Sequence, residues 1–286
     1  MMAAGSLSTH MQSEPPSDAA PLHASDSLVA VRDLRIVFPS RSGDTTAVDG
    51  ISFEVGKEKL GIVGESGSGK SVTCRSLLGL IPRQARVTAT SMRLFGDEYA
   101  NAKPAAFRAV RGRRMGLIMQ DPRYSLNPVV TVGKQIEEGL YLQRGMRGAQ
   151  ARAEGLRLLD AVSLRDPQRV WKAHPHELSG GMGQRAMIAM MLAMDPALLI
   201  ADEPTSALDV TVQVEILALL QSLVKERGMA LVLVSHDLRM VQGFCDRVVV
   251  MHQGKIVDEC RADALSNSSH PYTRRLLDSV PALVNP

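Results

Sequence analysis

The sequence predicts a mixed α/β fold built around a parallel sheet. Two observations carry this reading. Leu60-Gly61-Ile62-Val63, Ala197-Leu198-Leu199-Ile200-Ala201 and Ala230-Leu231-Val232-Leu233-Val234 are short apolar runs without polar alternation. That is the pattern of strands covered on both faces. From about Asn127 to Trp171 the pattern is instead helical and polar, with Leu156, Leu159, Val162 and Leu164 spaced among charges.

The elements follow in order. Leu28 to Phe38 alternates as a strand does, and Ile51 to Val55 reads as its neighbour. Turn residues Pro39 to Asp44 separate them. Leu60 to Val63 is the next strand, and a helix starts near Lys70. Pro82 cannot continue a helix, so this one is expected to run to Ile81. Met115 to Met119 reads as a buried strand. Ser179 is a plausible N-cap for an apolar helix that Asp195-Pro196 closes after Met194. Val248 to His252 and Lys255 to Asp258, joined at Gln253-Gly254, read as a closing hairpin.

Bulk properties bound the answer. The chain has 286 residues, 45% of them hydrophobic, enough for one large domain or a domain plus a subdomain. No apolar run approaches the roughly 20 residues that cross a bilayer. Residues 1–27 lack the apolar core of a signal peptide, and their Ser, Ala and Pro content predicts a disordered tail. Cys74, Cys245 and Cys260 are far apart and show no metal or disulfide spacing, so reduced thiols in the cytosol are expected. A net charge of +3 is too small to indicate nucleic acid. The cluster Arg108, Arg111, Arg113 and Arg114 reads as a solvated face.

Three segments carry chemistry. Gly64-Glu65-Ser66-Gly67-Ser68-Gly69-Lys70-Ser71 lies between a strand and a helix, the context that identifies a phosphate-binding loop. Its glycines let successive N–H groups turn inward toward phosphate oxygens, and the helix N-terminus adds its positive end. Lys70 is expected to reach the β- and γ-phosphates, and the Ser71 hydroxyl to ligate Mg²⁺. The apolar run Leu198 to Ala201 ends in Asp202-Glu203, presenting two carboxylates at a strand tip. Asp202 would hold Mg²⁺ through water, and Glu203 would polarise an attacking water. The alternative is a pair of acids capping a helix at Pro204-Thr205. In Leu178-Ser179-Gly180-Gly181-Met182-Gly183-Gln184-Arg185, the glycines leave a second helix N-terminus bare for an anion. The alternative there is an ordinary capped helix.

Together these residues resemble the ATP-binding subunit of an ATP-binding-cassette (ABC) transporter. The phosphate loop resembles Walker A, Leu198 to Glu203 Walker B, and Leu178 to Gln184 the family signature, with Met182 replacing its usual glutamine. Gln120 stands at the Q-loop position, Ser206-Ala207-Leu208-Asp209 at the D-loop and His236 at the switch histidine. Gln120-Asp121-Pro122, Ser125-Leu126-Asn127-Pro128, His270-Pro271-Tyr272-Thr273 and Leu276-Leu277-Asp278-Ser279-Val280-Pro281 resemble the dipeptide, oligopeptide and nickel importer branch.

The resemblance implies a P-loop NTPase with a RecA-like core, an antiparallel β subdomain and an inserted helical subdomain. The cassette would span 28–265, the helical part about 101–180, and the tail 266–286. It implies ATP and Mg²⁺ as ligands and hydrolysis at a shared dimer interface. Glu203, His236 and Gln120 would be catalytic, with Gln120 also near Mg²⁺. Ser179, Gly180, Gly181 and Asp209 would close over ATP held by a partner. Phe38 is the candidate adenine-stacking residue, with a core position as the alternative. The implied partners are a second, different ATP-binding subunit, two membrane permease subunits and, indirectly, an extracytoplasmic solute-binding protein. The implied place is the cytoplasmic face of the membrane. The rival reading is a soluble ABC-type ATPase acting on nucleic acid or ribosomes.

Overall fold

The computed structural model describes residues 27–41 and 43–279. The expected disordered tail therefore lies outside the described residues, apart from Ser27, whose hydroxyl donates to Glu54 Oε2 at 3.0 Å. Val280-Pro281 also lies outside them.

Strands β1 (Val29–Phe38) and β2 (Thr45–Val55) form an antiparallel pair. β3 (Lys59–Val63) starts the second sheet and leads into α1 (Lys70–Ser76). The sequence pattern marks no strand between Arg86 and Glu98, yet β4 (Arg86–Thr88), β5 (Ser91–Leu94) and β6 (Asp97–Glu98) lie there. With two to four residues each they show no period of their own. They exist by adding to β1 and to each other, in the order β2-β1-β5-β6 with β4 also on β1.

α1 stops at Ser76, short of the expected Ile81. Gly79 takes φ +60, and Leu80 N–H turns back to the Arg75 carbonyl at 2.9 Å. A left-handed glycine that folds the chain back in this way ends a helix before any downstream proline can.

β7 (Met115–Ile118), β8 (Leu198–Asp202), β9 (Ala230–Ser235) and β10 (Arg247–His252) complete a six-stranded sheet with β3 and β11 (Lys255–Arg261). Its order is β11-β10-β3-β9-β8-β7, parallel throughout except for the β10–β11 hairpin. Alternate residues face two cores. Val63, Leu199, Ala201, Leu231 and Leu233 pack toward the helices of one side. Leu60, Ile62, Leu198, Ile200, Val232 and Val234 pack toward α1 and the antiparallel sheet. Both faces are covered, which is why these strands read as unbroken apolar runs.

The segment 101–180 holds no α-helix before residue 132, since β7 belongs to the sheet and only single 3₁₀ turns occur at Ala106–Ala109 and Pro122–Tyr124. The helices are α2 (Val132–Arg144), α3 (Gly148–Ala161) and α4 (Pro167–Lys172), followed by α5 (Gly180–Ala193). α6 (Val210–Arg227) and α7 (Leu238–Phe244) complete the connections around β9. Within the basic cluster, Arg111 donates to the Pro104 carbonyl and Arg114 lies over the Phe95 ring.

The single tryptophan of the chain fixes the helical part. A Cβ at Gly133 on α2 would lie 2.4 Å from Trp171, and one at Gly155 on α3 only 2.1 Å from it. The ring of α4 thus occupies the space that two glycines leave open. Gly155→Ala is expected to overpack this site and cost about 1–3 kcal/mol. The measurement is urea denaturation followed by Trp171 fluorescence. An unchanged midpoint and spectrum would mean that the ring is free to move aside.

Within residues 266–279 the chain is ordered against the fold. α8 (Pro271–Ser279) is docked, with Tyr272 and Thr273 buried. The Thr273 hydroxyl donates to Asp258 Oδ2 at 2.7 Å, and Ser268 donates to the same oxygen.

Candidate functional site

Parallel strands end on one side, so whatever follows each strand gathers at one edge. Gly64 follows β3, Gln120 follows β7, Asp202 ends β8 and His236 follows β9. The register ties these ends together, pairing Val63 with Ser235, Asp202 with Val234, and Ile118 with Ala201. Residues far apart in sequence thus meet at one end of the sheet.

The glycine loop is held from within. Lys70 is buried, and its ammonium donates to the carbonyls of Gly64 at 2.7 Å and Glu65 at 2.8 Å, with Ser68 Oγ at 3.4 Å. Burial pushes its pKa below the ordinary lysine value, against the opposing pull of the Glu203 and Asp202 carboxylates. A cation short of solvation is one that an anion relieves. Gly69 takes φ +102, and a Cβ there would lie 2.5 Å from the Ala47 carbonyl oxygen, so only glycine fits. Gly254, at the tip of the β10–β11 hairpin, donates to the Ser68 carbonyl at 3.1 Å and props the loop. Glu65, Ser66 and Gly67 are exposed.

Ser71 Oγ donates to Asp202 Oδ1 at 2.5 Å, and Arg75 donates to Asp202 Oδ2 at 3.3 Å. The hydroxyl and the carboxylate expected near a metal are therefore neighbours. Glu203 adopts φ +49, an uncommon conformation for a residue with a Cβ. Its N–H still joins the ladder, donating to the Val234 carbonyl at 3.1 Å. The bend sets its carboxylate 3.5 Å from His236 Nδ1. His236 is poised by a turn in which Asp237 N–H donates to Ser235 Oγ at 2.9 Å.

Ser179 is the N-cap of α5, its Oγ accepting from Met182 N–H at 3.4 Å. Ser179 and Gly180 are exposed, and among the described residues no hydrogen bond joins Ser179–Gly181 to the phosphate loop. A Cβ at Gly181 would lie 2.9 Å from Val212 Cγ1. The small residues thus let the α5 entry close against the start of α6. Asp209 caps α6, its Oδ1 accepting from Val212 N–H at 3.1 Å. Gln120 is exposed. Phe38 is half-buried at the end of β1, opposite Thr45 and against the core of the antiparallel sheet.

Sequence reasoning missed three contributors. Gln184 has no role of its own in the sequence pattern. It is fully buried, and its Nε2 donates to the Pro204 carbonyl at 2.7 Å, tying α5 to the turn after Glu203. No motif marks Arg75, which donates to Asp202. Tyr272, in the C-terminal motif, accepts from Glu65 N–H at 3.2 Å. Each contact links positions between 20 and 207 residues apart. Local patterning carries no signal for such pairs.

A glycine loop gripping its own lysine after β3, a histidine just after the neighbouring β9 and a carboxylate ending β8 beyond it define a phosphate-loop ATPase fold. The comparisons make the class specific. The sequence pattern of the family described as "ABC transporter" matches residues 48–206. The oligopeptide transport ATP-binding protein OppD of Salmonella typhimurium is 45% identical over 258 residues, covering 90% of this chain and 77% of that protein. A probable peptide ABC transporter ATP-binding protein, y4tR of Sinorhizobium fredii, is 45% identical over 274 residues, covering 95% of this chain and 79% of that one. Among solved structures, the ATP-binding cassette MJ0796, a dimer in a post-hydrolysis state bound to ADP and Pi, superposes with a TM-score of 0.72. Its identity is 26%, over 82% of this chain and 98% of that one. This chain belongs to the ABC transporter family, and its activity is ATP hydrolysis.

Proposed function

We propose that this chain powers an importer of peptides, nickel or a related small solute, working with a second, different ATP-binding subunit. Two membrane permease subunits and an extracytoplasmic binding protein complete the assembly, and the chain sits on the cytoplasmic side. The names of relatives at 45% identity support the peptide class, and the dimeric state of MJ0796 supports pairing. Among the described residues no helix is long and apolar enough to cross a membrane.

The residue roles proposed with this function combine the site geometry with the family resemblance. Backbone N–H groups of the Gly64–Ser71 loop, other than the Glu65 N–H that Tyr272 holds, cradle the phosphates, and Lys70 neutralises them. Ser71 and Asp202 are the pair that would hold Mg²⁺. An oxygen-only pair, 2.5 Å apart, suits a hard cation that keeps water and phosphate as its other ligands. Bound there, Mg²⁺ would supply charge neutralisation, and Gln120 is the further residue that would approach it. Glu203 takes the proton of the attacking water, and His236 orients that carboxylate from 3.5 Å. Phe38 stacks on adenine. Ser179, Gly180, Gly181 and Asp209 close over nucleotide held by the partner.

The observation that carries the shared site is the bare, exposed entry of α5, unconnected to its own phosphate loop. Ser179→Arg tests it. The isolated variant is expected to bind ATP with nearly wild-type affinity, while the assembled complex loses hydrolysis at the partner's site. If a well-folded single subunit loses ATP binding instead, the α5 entry is a local cap and the paired mechanism is wrong.

A further inference from the structure

The phosphate loop is gripped from outside as well as from within. The peptide unit between Gly64 and Glu65 has its carbonyl bound by Lys70 at 2.7 Å and its N–H bound by Tyr272 Oη at 3.2 Å. Tyr272 is 4% exposed. Its ring lies on His252 at the end of β10, with ring centroids 3.9 Å apart. Its backbone N–H donates to His270 Nδ1 at 3.3 Å. Thr273, the next residue, anchors α8 to Asp258 on β11 at 2.7 Å. The C-terminal helix is thereby fixed to the hairpin whose tip props Ser68.

We propose that Tyr272 is a positioning residue for ATP binding, holding the first peptide of the phosphate loop in the conformation that receives phosphate. This rests on the reading of Gly64–Ser71 as the phosphate cradle. The physical reason is an exchange of partners. The Lys70 ammonium has three N–H donors, and three loop acceptors surround it: Gly64 O, Glu65 O and Ser68 Oγ. Any donor turned to phosphate is withdrawn from one of them. The loop then depends more on ties that phosphate does not compete for. Tyr272 Oη is such a tie, because it takes the Glu65 N–H and draws on no Lys70 donor. An interaction worth more with ligand present than without it raises affinity. Burial pushes the Tyr272 pKa above the ordinary tyrosine value, so the phenol stays neutral through the physiological range.

Tyr272→Phe keeps the ring on His252 and removes only the acceptor. On the full-length chain, calorimetric titration with ATP and with ADP is expected to show a Kd raised about three- to tenfold. The ATP-free variant should show faster hydrogen exchange at the Glu65 amide, and its melting temperature should stay within about 2 °C of wild type. A Kd within twofold of wild type overturns the proposal. So does a weaker Kd accompanied by a larger drop in melting temperature, because lost packing then explains it. If the wild-type chain binds neither nucleotide, the phosphate-cradle reading itself falls, and this inference with it. Binding by wild type with an unaffected variant removes the inference alone.

Discussion

Glu203→Gln is expected to leave ATP binding intact and to slow hydrolysis by about 10²-fold or more, the usual share of a positioned general base. The substitution is nearly isosteric, so the bend at φ +49 and the N–H bond to Val234 survive. What is lost is the proton acceptor facing His236. If ATP joins two subunits and hydrolysis separates them, the variant should also accumulate as a closed, ATP-bound pair. Steady-state ATPase of the assembled complex measures the first effect, and size-exclusion chromatography with ATP measures the second. Near-normal turnover would move the general-base role to another group.

Lys70→Ala is expected to weaken ATP binding by about 10²-fold and to abolish transport. Hydrogen bonds from a charged donor contribute about 1.5–3 kcal/mol each. The loss of two such bonds to phosphate at the low end of that range corresponds to about 10²-fold in Kd. The variant also leaves the Gly64 and Glu65 carbonyls without their ammonium partner, so some loop order goes with the charge. Titration calorimetry on the isolated subunit separates this variant from Ser179→Arg. Lys70→Ala acts on the subunit alone, and Ser179→Arg acts only in the pair. Unchanged affinity in Lys70→Ala would mean that Gly64–Ser71 is not the phosphate cradle.

The sequence by itself determined the strands of the parallel sheet and the residues at their tips. Leu198 to Ala201 and Ala230 to Val234 are buried on both faces, so nearly every residue in them had to be apolar, and the run is visible without context. The glycine loop was equally legible. Its backbone conformation and close approaches, as at Gly69 against Ala47, exclude most side chains locally. The family resemblance then supplied the expected positions of Gln120, Asp209 and His236.

What only the tertiary structure decided are the features whose cause lies in another element. β4 to β6 are too short to show a period and are strands because β1 offers an edge to β4 and β5, and β5 offers one to β6. α1 ends at Ser76 because Gly79 folds the chain back there, before Pro82 can act. Residues after 266 read as a tail, since a nine-residue helix with few apolar residues carries little signal of its own. Their docking depends on Asp258, His252 and Glu65, which are brought there by the sheet. Arg75 on Asp202 and Gln184 on Pro204 are likewise single hydrogen bonds across the fold. One side chain bonded to a distant backbone or carboxylate leaves no pattern in the surrounding sequence, so packing alone reveals it.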